Sequence, residues 1–159
     1  MTRSWRAAAT RRAFDYRDPR VSVEVIEHEG TTYAEVIRAD VRVGTTTFFS
    51  PAESSFQFGL LAHAAGYREA PHYHKEFERR IDDLQQMFVV QRGVVDVELY
   101  SDRGRLLQVI RLGAGDAIVL VRGVHAINVI EDFQAFSVKQ GPFYGDEVDK
   151  VEVAVETTA

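Results

Sequence analysis

Glycine-containing turns divide the second half of the chain into short runs that have the length and pattern of β-strands. Residues 94–100 and 106–112 are rich in valine and leucine, and the first run alternates apolar and polar residues, as a strand with one buried face does. This spacing predicts strands rather than helices. The turn signals are Arg92-Gly93, Ser101-Asp102-Arg103-Gly104, Gly113-Ala114-Gly115-Asp116 and Arg122-Gly123.

The first half of the chain contains similar runs, so the pattern extends over most of the protein. Glu29-Gly30 lies between two of them and predicts a hairpin turn. Roughly ten short strands without a long helix are typical of an all-β sandwich or barrel. The other predicted strands are residues 21–26, 33–37, 41–49, 56–63, 86–90, 117–121, 125–130 and 133–140.

Length and composition limit what such a β-protein can be. The chain has 159 residues, about one domain's worth, and shows no internal repeat. We expect one barrel with extra N-terminal strands at residues 21–145, an N-terminal arm at residues 1–20 and a charged tail at residues 146–159. The lack of cysteine excludes disulfides, thiolate metal sites, iron–sulfur clusters and a cysteine nucleophile.

The charge distribution argues against two classes of partner. The net charge is −5, and no dense Lys/Arg run occurs beyond the N-terminal arm, which argues against a nucleic-acid surface. No apolar run approaches the ~20 residues of a membrane helix.

The Arg-rich stretch up to Phe14 could also be a transit peptide. An N-terminal arm is the simpler interpretation, and we expect a cytoplasmic protein.

Two of the five histidines, His72 and His74, lie two residues apart and directly follow Pro71. In an extended strand, side chains at positions i and i+2 point to the same face, so both imidazoles can be directed at one metal ion. Neutral imidazole suits Fe(II), Mn(II), Co(II), Ni(II), Cu(II) and Zn(II). Taken alone, the pair is more simply interpreted as polar surface.

The residues around this pair resemble the first motif of the cupin superfamily. Gly66, five residues and His72-Tyr73-His74 are similar to its beginning, and Gln86, six residues and Gly93 are similar to its end. Two features differ from the usual pattern. The glutamate position is occupied by Gln86, and the spacer after the second histidine is eleven residues long, at positions 75–85.

A second stretch resembles the other cupin motif. It begins at Gly115-Asp116 and continues through Arg122-Gly123 to His125 and Asn128. The usual proline of this motif is replaced by Val121. The likeness covers about residues 56–140, and the stretch Val-Lys-Gln-Gly-Pro at residues 138–142 also resembles the ending of a little-characterised bacterial cupin family.

The resemblance implies a jelly-roll barrel, a double-stranded β-helix, that holds a divalent metal. The implied ligands are His72, His74, the residue at Gln86, and His125. Fe(II) is the expected metal, with Mn, Ni, Co, Cu and Zn as alternatives. Open coordination positions would remain for water, oxygen or substrate. Cupins are often homodimers, so the strands within residues 21–49 are possible interface or swapping elements.

The side chain at Gln86 decides much of the expected chemistry. A neutral amide leaves the metal its full charge, which makes it a stronger Lewis acid and attractive to an anionic substrate. Alternatively, Glu76 or Glu78 folds back from the spacer and replaces the missing carboxylate. In a third arrangement Gln86 binds no metal and only donates a hydrogen bond to a ligand. For the acids of the spacer, including Asp82 and Asp83, the simpler interpretation is a solvated loop.

Strand alternation also predicts a pocket. Phe88 and Val90 share a face with Gln86, and Ile127 and Val129 share a face with His125, so these side chains should line a mostly apolar cavity. Either Lys139 or Gln140, at the end of the last predicted strand, can face this cavity, where Lys139 would hold a carboxylate or phosphate. A surface lysine is the equally simple alternative. We therefore expect Gln86, Glu78 and Lys139 as catalytic residues. The expected pocket residues are Phe88, Val90, Ile127 and Gln140.

Three functions are compatible with these residues. The leading hypothesis is a metal-dependent enzyme acting on a small organic molecule, with oxygenase-type chemistry at a three-histidine metal. The second keeps the metal but uses it as a Lewis acid for isomerase, epimerase or lyase chemistry on a sugar-like or anionic substrate. The third is a non-catalytic cupin that binds a small molecule or a metal.

Overall fold

The computed structural model describes residues 23–156, and within them the protein is built from ten β-strands and one short helix. The predicted N-terminal arm at residues 1–20 lies outside the described residues. No helix within residues 23–156 is long and apolar enough to cross a membrane. The elements are β1 Glu24–His28, β2 Thr31–Ile37, β3 Thr47–Phe48, β4 Gly59–Leu60, β5 Gln86–Arg92, β6 Val95–Tyr100, β7 Leu106–Leu112, β8 Ala117–Leu120, β9 Val124–Val129, β10 Gln134–Lys139 and α1 Asp146–Asp149.

The strands form three antiparallel sheets, which confirms the predicted all-β class. The larger sheet has the order β1-β2-β8-β5-β10, and a second sheet has the order β7-β6-β9. The short strands β3 and β4 pair only with each other. Within the described part of the chain the two larger sheets do not close into a barrel, because β9 and β10 are edge strands.

The main core lies between the two larger sheets. Alternate residues of β6 and β8 project into it, among them Leu99 and Ile118, which have no exposed surface. These runs are rich in branched aliphatic residues, which pack well on a pleated surface. The fully buried side chains would each contribute roughly 1.5–3 kcal/mol to stability through removal from water.

A second apolar cluster covers the opposite face of the five-stranded sheet. Val119 of β8 and Ile37 of β2 point to this side and pack with Phe58, whose side chain is buried. Residues 41–60 supply most of the cover, although they form only the two-residue strands β3 and β4. The long strands predicted at residues 41–49 and 56–63 are therefore wrong, because this segment packs by its side chains rather than by a backbone ladder.

The turn before β8 is fixed by Asp116. Its carboxylate accepts hydrogen bonds from the backbone N–H groups of Ala39 and Gly113, at 2.9 and 3.0 Å, and lies 3.3 Å from the guanidinium of Arg38. Gly115 has a φ of +90°, and a Cβ at this position would lie 2.7 Å from the Ala39 side chain. The Gly-Asp pair noted in the sequence thus joins the β7–β8 turn to the end of β2.

Candidate functional site

The register of β5 places Gln86 at one end of the space between the two sheets. In the five-stranded sheet Gln86 lies opposite Leu120 on one side and Lys139 on the other. Leu120 belongs to the main core, and residues directly opposite each other in an antiparallel pair share a face. Both Gln86 and Lys139 therefore project toward the space between the sheets.

A hydrogen bond fixes the Gln86 side chain. Its amide nitrogen donates to Ser137 Oγ at 2.9 Å. Ser137 is two residues before Lys139 on β10 and lies opposite Phe88, so it shares the inward face. The amide oxygen of Gln86 keeps its lone pairs for another partner, while the Lys139 ammonium lies 3.8 Å from the centroid of the Phe143 ring.

His125 reaches the same space from the other sheet. It lies opposite Leu99 in the β6–β9 ladder, and Leu99 is part of the main core, so the imidazole shares the inward face of the three-stranded sheet. Leu120 opposes Gln86, and only four residues separate it from His125 along the chain. His125 and Gln86 consequently lie at the same end of the molecule.

The surroundings of His125 favour the neutral imidazole that a metal ligand requires. Part of the residue's surface is open to solvent, but the surrounding protein atoms desolvate the ring and lower its pKa. A backbone hydrogen bond at Gly123 acts in the opposite direction. The positive charge of Lys150, in the segment after α1, lowers the pKa further.

His72 and His74 lie in the segment between β4 and β5, residues 61–85, which we call the 61–85 loop. The two rings are close together, with centroids 5.4 Å apart in an edge-to-face arrangement. His72 Nδ1 lies 3.0 Å from the carbonyl oxygen of Ala70, and since a carbonyl can only accept, this nitrogen carries the proton. In the neutral ring, Nε2 is then free to bind a metal.

The His-x-His pair does not lie in a strand. Residues 71–74 have no ladder partner among the residues that the structure describes, and both histidines are exposed. Among residues 23–156, no group of three or more His, Asp or Glu side chains is close enough to hold a metal ion. The structure thus brings His72 together with His74, and places Gln86 and His125 at one end of the inter-sheet space, but it does not join these two halves.

The acidic residues of the 61–85 loop are also solvated. Glu76, Glu78 and Asp82 are exposed, and Asp82 accepts a hydrogen bond from Arg80 at 2.9 Å. No helical turn forms at the charged residues 75–83. His63, at the end of the strand predicted at residues 56–63, lies outside any strand, is exposed and stacks on Tyr67 with a centroid distance of 3.9 Å.

Asp83 anchors the end of the loop to the body of the protein. Its carboxylate accepts hydrogen bonds from Ser55 Oγ at 2.9 Å and from the Gln85 side chain at 2.7 Å. The hydrogen bond from Gln85 is the main cause of a lowered pKa for Asp83, burial acts against it, and the bond from Ser55 adds to it. Gln140 completes the anchor by accepting from the Gln85 backbone N–H at 2.7 Å and donating to Ser55 Oγ at 3.2 Å.

The predicted pocket residues differ in their burial. Val90 is buried in the main core, and Phe88 packs against that core. Ile127 is 41% exposed and Val129 is 54% exposed, although both share the inward face with His125. Their exposure follows from the position of β9 at an open edge. A shallow depression of about 520 Å³ elsewhere is lined by Gly30, Thr31, Thr32, Asp83, Val121 and Arg122.

Sequence reasoning missed two residues near this site. Ser137 could have been found from the sequence, because it lies two residues before Lys139 on a predicted strand and must share its face. Lys150 could not have been found from the sequence, because its effect on the pKa of His125 depends on the path of the chain after α1.

Comparison with known proteins identified no relative. No family model, curated protein or solved structure matches the chain.

Proposed function

We propose that this protein is a cupin-type jelly roll that binds a divalent metal through His72, His74 and His125 and catalyses an oxygenase-type reaction on a small organic molecule. The observation that carries the proposal is the order in which the strands pair. β6 pairs with β7, and the strands on either side of this hairpin, β5 and β8, pair with each other in the other sheet. Such nested pairs around a central hairpin, in alternating sheets, are the strand order of a jelly roll.

The next strand position in this scheme belongs to the 61–85 loop. After β6–β7 and β5–β8, the following pair would consist of β9 and the segment that precedes β5. That segment contains His72 and His74, whereas β9 contains His125. Pairing there would put all three histidines near the end of the inter-sheet space where Gln86 lies. A chain rolled in this order would therefore bring together the residues that the sequence resemblance implies as ligands.

The donor set fits a first-row divalent metal. Three neutral imidazoles are suitable ligands, the His72 ring has its Nε2 free, and desolvation lowers the pKa of His125, which favours its neutral form. Fe(II) supplies activation of oxygen when bound with open positions. The chain itself supplies an apolar wall from Phe88 and Ile127, an amide at Gln86 and a cation at Lys139.

An alternative reaction is favoured by one specific observation. Lys139 faces the inter-sheet space opposite the uncharged Gln86, so the site would carry more positive charge than one with a carboxylate ligand. Such a site suits an anionic substrate whose carbonyl is polarised by the metal, as in isomerase, epimerase or lyase chemistry. This alternative needs no oxygen, whereas the leading proposal does.

Metal content tests the shared part of both proposals. Protein purified under reducing, iron-replete conditions should contain close to one metal per chain by elemental analysis. His125→Ala and the double variant His72→Ala/His74→Ala should lose it, while His63→Ala, an exposed histidine of the same loop, should not. A folded wild-type protein that stays metal-free in the presence of Fe, Mn, Co, Ni, Cu and Zn would refute both.

Oxygen consumption separates the two reactions. A panel of small organic acids, phenols and sugar acids should be incubated with the metal-loaded protein in air and under argon. Turnover that stops under argon and consumes oxygen in proportion to product supports the oxygenase. Turnover that continues unchanged under argon supports the Lewis-acid reaction, and binding without turnover in either atmosphere supports a non-catalytic binding role.

A further inference from the structure

Both sheets end at an open edge on the same side of the molecule. β9 is the last strand of the three-stranded sheet, and β10 is the last strand of the five-stranded sheet, with only residues 130–133 between them. Within residues 23–156, no other strand pairs with the outer side of either. Unprotected edge strands offer free backbone donors and acceptors to another strand.

These edges also expose apolar side chains. On β9, Ile127 and Val129 face inward yet are 41% and 54% exposed. On β10, Phe136 and Val138 face the other side of their sheet and are 60% and 48% exposed. Exposed apolar side chains beside an unpaired strand edge are typical of an interaction site.

The 61–85 loop is an exposed segment with apolar side chains that could cover such an edge. Every residue from 63 to 84 is exposed, and the segment contains no secondary structure. A structureless loop of this length is uncommon in a compact domain. Its exposed apolar side chains are Leu61, Tyr67, Tyr73, Phe77, Ile81 and Leu84.

Both ends of the 61–85 loop are attached to the body of the protein. At its start, the Ala62 N–H donates to Thr46 Oγ1 at 3.2 Å, and at its end Asp83 accepts from Ser55 at 2.9 Å. Residues 63–84 of the loop and residues 125–129 of β9 are all exposed, so within residues 23–156 the loop does not pack over the β9 edge. Within residues 23–156, one copy of the chain thus presents an unpaired β9 edge. It also presents an unpaired apolar segment, the 61–85 loop, which would be the neighbour of β9 in a jelly roll.

We propose that two copies of this chain exchange their 61–85 loops, so that the loop of one copy pairs with the β9 edge of the other. The exchange is reciprocal and has twofold symmetry, as closed homodimers usually do. The exposed residues 63–84, together with the six residues of β9, fall within the about 20–30 residues per side of a standard stable interface. The size of the surface therefore suits a second copy.

The exchange has a consequence that rests on the proposed function. It places His72 and His74 of one copy beside His125 of the other, so each metal site is shared between two chains. The site would then be incomplete in a single copy, in agreement with the separation of the two halves within residues 23–156.

Disulfide trapping tests the exchange without reference to a metal. The chain has no cysteine, so introduced thiols are the only ones present. If His72 and His74 face inward, Tyr73 faces the same side as Ala126 and Asn128, which alternate with His125 on β9. The test variants are Tyr73→Cys/Ala126→Cys and Tyr73→Cys/Asn128→Cys. The control is Tyr73→Cys/Val25→Cys, since Val25 is exposed on β1 at the opposite edge of its sheet.

The expected result is a covalent dimer on a non-reducing gel for at least one test variant and not for the control. Light scattering should show that the wild-type protein is a dimer, and Ile127→Lys should raise its dissociation constant at least tenfold while retaining the β-rich circular dichroism spectrum. A disulfide-linked monomer would show that the loop closes on its own copy and would overturn the proposal. So would a monomeric wild-type protein, or a dimer that neither test pair can trap.

Mixed dimers test the shared site separately. Co-expression of His72→Ala/His74→Ala with His125→Ala gives mixed dimers that contain one intact site only if the loops are exchanged. In mixed dimers separated from the two homodimers by different affinity tags, metal at about half the wild-type content supports the shared site, and none argues for sites within one chain. If the wild-type protein itself binds no metal, the proposed function fails, while the disulfide result still decides the exchange.

Discussion

Lys139 lies directly opposite Gln86 in the β5–β10 ladder, and both side chains point into the space between the two larger sheets. An ammonium group beside a neutral amide gives this end of the molecule a positive character. The ammonium also lies over the Phe143 ring at 3.8 Å, which restricts its position. This pairing makes the charge at position 86 the most informative feature to change.

Replacing Gln86 with glutamate should strengthen metal binding if Gln86 is a ligand. A carboxylate adds a negative charge at the metal, so we expect a gain in metal affinity of roughly tenfold or more. Changes to the residues around metal ligands typically alter affinity by about this factor. Competition with a chelator measures it. Gln91→Glu is the matched control, because Gln91 lies on the same strand but is exposed and bonded to Gln134. Equal metal affinity and an equal spectrum in Gln86→Glu and wild type would show that Gln86 is not a ligand.

Replacing Lys139 with methionine should selectively weaken the binding of anions. Loss of one charge-assisted contact corresponds to roughly 1.5–3 kcal/mol, or about tenfold or more in affinity. Calorimetry of metal-loaded protein with malonate, and with the uncharged malonamide, measures the difference. We expect weaker binding of malonate alone. Lys75→Met, on the exposed loop, should leave both unchanged; an equal loss for both ligands in Lys139→Met would instead indicate a structural role.

The strands from β5 to β10 could be predicted from the sequence because local signals suffice there. Residues 106–112 were predicted as a strand and form β7, Leu106–Leu112, since glycine turns bound the run on both sides. Alternation also placed His125 and Ile127 on one face, and the register with Leu99 confirms it. In this half of the chain, pattern and tertiary structure agree.

The segment from 41 to 85 could not be predicted in the same way. Its threonine, valine and phenylalanine content favours strands, but the apolar side chains near Phe58 cover a sheet face and need no ladder. For His72 and His74, a strand requires a partner edge, and the choice of that edge depends on long-range contacts that spacing does not encode. The sequence therefore suggests candidate ligands but does not determine how they meet.

Truncating Leu112 should test the main core. Leu112 has no exposed surface, so Leu112→Ala should destabilise the protein by about 2–5 kcal/mol through lost burial and a cavity. Val109 lies on the same strand but is 47% exposed, so Val109→Ala should change stability by no more than about 0.5 kcal/mol. Urea denaturation of both variants gives the comparison. Similar losses for the two would contradict the position of the core between the sheets.

The Asp96–Arg111 pair predicts a specific dependence of stability on pH. The guanidinium donates two hydrogen bonds to the carboxylate, both of 2.8 Å. The hydrogen bond from Arg111 is the main cause of a lowered pKa for Asp96, its positive charge adds to it, and burial acts against it. A carboxyl group whose pKa is lower in the folded than in the unfolded protein contributes stability above its unfolded value of about 3.9. That contribution is lost as the pH falls through the folded pKa.

Asp96→Asn should therefore lower the melting temperature at pH 7 and converge on the wild type as the pH falls below about 3.9. Thermal unfolding followed by circular dichroism between pH 7 and pH 2.5 measures the convergence. Asp132→Asn is a suitable control, because this exposed aspartate lies in the β9–β10 turn, outside the Asp96–Arg111 pair. Its melting curve should follow that of the wild type throughout. A difference between Asp96→Asn and wild type that stays constant over this range would show that the pair acts through packing rather than through charge.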